Sequence, residues 1–195
     1  MEEKLIFSPF YHITNKQNKQ IMFKTPANHT VYVLTSRFNN ATLTENAKWR
    51  ERSEHPGCVY CSPTAMPKGV PAEAIILMIE MNNELNKIAG FGMLINKRKT
   101  DRDLIYADRN YNRYIFKGDI RANREWLLSQ NTDLIEKLEI LIFTGKDHIK
   151  RGVGFTSIPK KKLTFFEKDG YGAQFQEIIH KMIAENKNEN PIKSN

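Results

Sequence analysis

The chain has 195 residues, 40% hydrophobic and 27% charged, which is enough apolar material for one packed domain. Thirty Lys and Arg against 22 Asp and Glu leave a net charge of +8, a balance that favours a polyanionic partner. Two cysteines exclude a disulfide scaffold and fit a reducing, intracellular compartment, and no apolar run approaches the about 18 residues of a membrane span. The first residues, Met1-Glu2-Glu3-Lys4, bring two acids and no long apolar core, unlike a secretory signal.

Residues 1–28 mix short apolar pieces with a polar stretch and are expected to form an N-terminal arm or hairpin. The first strand is predicted over 29–36, where Val31, Tyr32, Val33 and Leu34 supply β-branched and aromatic residues to both faces. Asn39 and Asn40 close it, and a short helix with Thr44 as N-cap is predicted over 44–51. His55-Pro56-Gly57 is a turn. Residues 73–81 are a continuous apolar run, as in a strand buried on both faces, and 88–96 are its antiparallel partner across a polar link. Gly90 and Gly92 alternate along that second strand, which predicts a bend or the close approach of another backbone.

A further strand is predicted over 111–120. The period then switches. Leu134, Ile135, Leu138, Leu141 and Ile142 make a helical stripe over 132–143, ended by Gly145. Short strands are predicted over 153–159 and 163–166. Phe175, Ile178, Ile179, Met182 and Ile183 predict a helix over 173–185, and residues 186–195 read as a disordered tail. The sum is a single α+β domain over 29–185.

His55, Cys58 and Cys61 are spaced H-x2-C-x2-C, but structural zinc takes four ligands and the chain has no second cysteine pair. No metal and no cofactor are therefore predicted. Gly90-Phe91-Gly92 lies inside a strand and lacks the rest of a dinucleotide fingerprint. With no nucleophile elbow or Walker loop either, no catalytic residue is assigned. Glu80, alone among apolar residues, reads as an interior hydrogen-bonding partner.

Residues 145–162 are more informative, carrying Lys146, Lys150, Arg151, Lys160, Lys161 and Lys162 against the single acid Asp147. Compensating the dipole of the preceding helix takes one or two cations, whereas six fit contact with phosphates. Trp49, Tyr60, Tyr106, Tyr111, Tyr114 and Trp126 fall in partly loop-like segments, where aromatic rings beside a basic groove stack on bases.

The order of segments carries a resemblance. Tyr32-Val33-Leu34-Thr35-Ser36, then Asn39-Asn40, a helix, Cys58-Val59-Tyr60-Cys61-Ser62, an apolar strand, Gly90-Phe91-Gly92 and Tyr114-Ile115-Phe116-Lys117 resemble the layout of YTH domains. These belong to the PUA-like superfamily of small curved β-barrels, and the resemblance covers roughly residues 30–120. It implies a PUA-like barrel of about six strands with flanking helices. It also implies an aromatic cage for an N6-methylated adenine. Tyr60 then stands at the first cage position, and Cys61 replaces a base-reading Ser. Ser36 keeps the Ser at the end of the first strand while Thr35 replaces a Lys, and Tyr106 is the aromatic nearest the second cage position. Glu80-Met81-Asn82-Asn83, Asn86-Lys87-Ile88 and Lys150-Arg151-Gly152 also look like segments of proteins from large DNA viruses of the marseillevirus and mimivirus kind.

The expected function is non-catalytic binding of nucleic acid, RNA before DNA, by a basic groove and an aromatic pocket. The expected contact residues are Ser36, Asn39, Asn40, Tyr60, Cys61, Tyr106, Lys146, His148, Lys150 and Arg151. A homodimer without a membrane partner is expected, in host cytoplasm, a viral factory or a virion. The alternatives are an abundant viral packaging protein held on the genome and an enzyme acting on nucleic acid.

Overall fold

In the computed structural model, the run Ile75–Asn82 is a strand at the centre of a mixed sheet, and its side chains alternate between two hydrophobic cores. Leu77, Ile79 and Met81 enter one core; Ile76 and Met78 enter the other. That double burial is why the sequence shows no polar alternation here. The structure describes residues 22–24, 29–100, 103–159, 162 and 169–189.

The strands are β1 (Met22–Lys24), β2 (Thr30–Phe38), β3 (Cys58–Ser62), β4 (Ile75–Asn82), β5 (Lys87–Ile95), β6 (Tyr114–Gly118), β7 (Ile120–Asn123) and β8 (Thr156–Ser157). The helices are α1 (Asn40–Arg52), α2 (Arg124–Phe143) and α3 (Tyr171–Glu189). The main sheet runs β1-β2-β4-β5-β7, with β8 also on β2 and a separate ribbon of β3 and β6. β2 and β4 are parallel; the other pairs are antiparallel. Helices α2 and α3 cover one face of the sheet, while Trp49 of α1 and the β3–β6 ribbon pack on the other.

The α+β class and the β4–β5 hairpin are as expected. The closed barrel is not: among the described residues the sheet stays open, and β3 and β6 form a second layer instead of closing it. The predicted strand over 111–120 also divides. A 3-10 turn at Arg109–Arg113 leads into β6, and the chain changes sheets at Asp119. Gly118 makes this crossing fit, because a Cβ there would lie 1.9 Å from the Met93 carbonyl oxygen.

Helix α1 starts earlier than predicted. Asn39, not Thr44, is its N-cap, accepting from the Thr42 amide at 2.7 Å while the Thr42 hydroxyl accepts from the Asn39 amide at 3.0 Å. Helix α2 begins a full segment before the apolar stripe. Asn123 caps its first part, and the backbone breaks at Asn131, whose side chain caps the striped part at Leu134. Buried Glu139 ties that helix to the hairpin: it accepts from Lys87 Nζ at 2.9 Å and the Ile88 amide at 2.8 Å, and pairs with Arg124. Only Thr156–Ser157 of the predicted strand over 153–159 pairs. α3 extends to Glu189, four residues beyond the predicted end. Most of the N-terminal arm, the strand at 163–166 and residues 190–195 of the tail lie outside the described residues. Among the described residues, no helix is long and apolar enough to cross a membrane.

Candidate functional site

Parallel strands β2 and β4 end side by side, in register at Ser36↔Glu80, Arg37↔Met81 and Phe38↔Asn82. Beyond them the chain turns away in both cases, into α1 after β2 and into the β4–β5 turn after β4. A cleft of about 220 Å3 opens at these carboxyl ends, where open sheets with parallel strands commonly bind ligands. Ser36, Arg37 and Phe38 of β2 line it with Asn39 and Thr42 of the α1 cap. Cys61 and Pro63 come from the end of β3, Asn83 from the end of β4, Tyr106 and Tyr111 from the loop before β6, and Gly154 from the segment before β8.

Four of the expected contact residues therefore meet in one cleft: Ser36, Asn39, Cys61 and Tyr106. Their chemistry differs. Ser36 is 5% exposed. Asn39 spends its side-chain oxygen on the α1 cap. The Cys61 thiol is pushed up to about 12 by burial, with Asp103 adding to the shift, so it stays protonated. Tyr106 is 4% exposed and its hydroxyl accepts from Asn46 Nδ2 at 3.0 Å, which fixes the ring edge-on to the more open Tyr111. Burial holds the Tyr106 phenol well above its ordinary range.

Tyr60 does not join them. It has no exposed surface, and its hydroxyl donates to Glu80 Oε1 at 2.8 Å. A base cannot stack on a ring already enclosed by the core, so its expected cage role is corrected to a structural one. Glu80 also accepts from Arg121 Nε at 2.8 Å and Nη2 at 2.6 Å. Gly90 and Gly92 make space for this cluster: a Cβ at Gly92 would lie 2.1 Å from the Tyr60 hydroxyl, and one at Gly90 2.8 Å from Glu80 Oε2. The alternating glycines thus admit a buried polar cluster, and at Gly90 also the neighbouring Ala122 carbonyl, 2.6 Å from the same Cβ position. Asn40 is likewise structural. Its amide donates to Glu84 Oε2 at 3.1 Å and its side-chain oxygen accepts from Asn82 Nδ2 at 2.8 Å, away from the cleft lining.

The basic segment reaches the rim through its backbone. Arg37 Nη1 donates to the Lys150 carbonyl at 2.8 Å, and Asn83 Nδ2 donates to the same oxygen at 3.1 Å. Lys146 and Arg151 are exposed, Lys150 and His148 are half-buried, and none of the four lines the cleft itself. Lys162 is engaged elsewhere, where its Nζ donates to the Leu141 carbonyl at 2.7 Å and caps the end of α2. Lys160 and Lys161 lie outside the described residues.

Arg37 and Asn83 were not among the expected residues. Asn83 lay in the polar link between two predicted strands, and Arg37 fell one residue beyond the end of the predicted first strand. No spacing rule links residues so far apart in the chain, so the pair emerges only when β2 and β4 lie side by side. A wider groove of about 680 Å3 sits at the other end of α1, beside Trp49, His55 and Lys117. It is shallower; of its two lining cations, Arg52 and Lys117, Lys117 is engaged, its Nζ pairing with Asp103 at 2.7 Å and lying 4.9 Å from the Trp49 ring centre. His55 Nε2 lies 3.1 Å from the Cys58 carbonyl oxygen, the Cys58 thiol donates to the Met93 carbonyl, and no three potential metal ligands converge among the described residues.

No protein-family model matches the chain, and no curated protein or solved structure shows significant similarity to it.

Proposed function

We propose that the protein binds nucleic acid without catalysis, single-stranded RNA before DNA, across the cleft and the adjoining basic segment. The observation that carries this is the bracing of the Lys150 carbonyl by two cleft-lining side chains, Arg37 and Asn83. It sets the exposed cations Lys146 and Arg151 on a segment fixed to the rim of a small cleft with a half-open tyrosine wall. Cations placed to meet a backbone beside a recess for a ring are the two parts that single-strand binding requires. The likeness to PUA-like domains belongs to this proposal, supported by the β4–β5 hairpin and the passage from β2 through the capped α1 to β3.

Salt dependence tests the proposal. Replacing Lys146, Lys150 and Arg151 together by Ala is expected to lower the log–log salt slope for a single-stranded RNA by about 2, at roughly 0.7 per phosphate contact, and to weaken all sequences alike. These side chains make no ion pair among the described residues, and the carbonyl of residue 150 survives the change. A folded triple variant with an unchanged slope refutes the proposal.

A further inference from the structure

The 3-10 turn at Arg109–Arg113, which brings Tyr111 to the cleft, also leads into a second cationic surface. Arg98 lies over the Tyr114 ring, 4.6 Å from its centre, and Arg113 lies 5.9 Å from the same centre. Both arginines are exposed, while Tyr114 is half-buried. Backbone groups hold the arrangement: the Lys99 amide donates to the Ile115 carbonyl at 2.8 Å, and Arg98 Nη2 donates to the Arg113 carbonyl at 2.9 Å. A guanidinium has five N–H donors, so that bond leaves most of those on Arg98 to a ligand. Among the described residues neither arginine pairs with a carboxylate. Two like charges at one ring repel each other, a cost that a shared anion removes.

This surface is continuous with the basic segment. Ser62 and Tyr114 are direct partners in the β3–β6 ribbon, so their side chains share one face, and Phe116, two residues on, shares it too. Residues 154–155 cross that face. A Cβ at Gly154 would lie 2.6 Å from Ser62 Oγ, and the Phe155 ring packs edge-on to Phe116 at 5.6 Å. Arg151 stands just before this crossing in the chain. We propose that Arg98 and Arg113 are a second phosphate-binding pair, taking the backbone of the same single strand beyond Lys146, Lys150 and Arg151; the inference rests on the nucleic-acid reading above. Phosphate suits the pair, because a guanidinium presents parallel N–H donors that two oxygens of one phosphate accept. Packing at Tyr114 also orders both side chains beforehand, which lowers the entropy cost of binding.

The test measures binding of a short fluorescent single-stranded RNA to the full chain across a salt series. Arg98→Gln combined with Arg113→Gln should lower the log–log slope by about 1.4, at roughly 0.7 per phosphate contact, and weaken binding about tenfold or more. Arg113→Gln alone keeps the carbonyl that Arg98 uses and should lower the slope by about 0.7, so the test survives a double variant that does not fold. Lys137→Gln combined with Lys181→Gln removes the same charge from α2 and α3, on the other face of the sheet, and should leave the slope unchanged. An equal fall there reports net charge only and overturns the inference. An unchanged slope in the folded arginine variants, with the Lys146, Lys150 and Arg151 variant still lowering it, overturns the inference and leaves the basic-segment proposal standing. So does an arginine variant that loses polyglutamate binding at an unchanged RNA slope, which assigns the pair to an acidic protein partner. Failure of the wild type to bind RNA at low salt overturns the two proposals together.

Discussion

Ser36 and Glu80 face each other in the parallel register of β2 and β4, yet they belong to opposite kinds of polar site. Glu80 is 2% exposed and saturated, accepting one bond from Tyr60 and two from Arg121. Ser36 is almost as buried, and in its cleft neighbours Arg37 Nε and Asn83 Oδ1 are buried without a partner among the described residues. A buried polar cluster that satisfies itself fixes one packing and leaves nothing for a ligand. One left open carries a desolvation cost until something enters. Saturation, which burial alone does not reveal, thus separates scaffold from site along one pair of strands.

The largest expected effect comes from breaking the saturated side. Glu80→Gln leaves the Arg121 guanidinium largely buried without its counter-charge, at a cost of about 3–5 kcal/mol in denaturant-unfolding stability. A loss below about 1 kcal/mol would show that water reaches Arg121, and the cluster would no longer be a closed contrast to the cleft.

Alkaline pH probes both sides at once. Cys58, beside the Glu80 cluster, and Cys61, in the cleft lining, are each pushed by burial from 9.0 up to about 12. The unfolded chain therefore gives up these protons first, so their contribution is complete below pH 9 and is lost as pH climbs from 9 towards 12. Each thiol should remove about 1.4 kcal/mol per pH unit across that window. Unfolding free energies of the wild type and of Cys61→Ala, followed from pH 8 to 11, should diverge from the parallel course they hold below 9. Parallel curves throughout would place the Cys61 thiol in contact with water.

The smallest effect is expected at a glycine beside the closed cluster. Gly92→Ala inserts a methyl 2.1 Å from the Tyr60 hydroxyl and should destabilise by about 1–3 kcal/mol. Tyr60→Phe in the same chain should recover part of that loss, because it removes the nearest atom the methyl strikes while Cys58 Cβ and Sγ, at 2.7 and 2.8 Å, remain. A double-mutant cycle with no coupling would mean that the strand shifts as a whole.

Much of the scaffold was legible in the sequence. The unbroken apolar run of β4, the hairpin to β5 and the stripe from Leu134 to Ile142 are local patterns, set by which faces are buried. Glu80 was readable as an interior partner because a charge among β-branched and apolar neighbours has few other fates. The first part of α2 was not legible, since it depends on the Asn123 cap and not on a stripe. The division of 111–120 between two sheets also escaped, because it depends on a glycine meeting the Met93 carbonyl.

The cleft divides the same way. The resemblance to YTH domains brought Ser36, Asn39, Cys61 and Tyr106 to notice, and charge composition brought the basic segment. Which of them line the cleft was decided by tertiary contacts: Tyr60 is held by Glu80 instead, and Asn40 by Glu84 and Asn82. Arg37 and Asn83 gained their places because two parallel strands end together and a backbone carbonyl from residue 150 arrives between them. The sequence determined where the chain is buried, for periodicity is a local property of solvation. Only the fold decided which buried polar atoms find partners, since hydrogen bonding is settled by neighbours that lie far away along the chain.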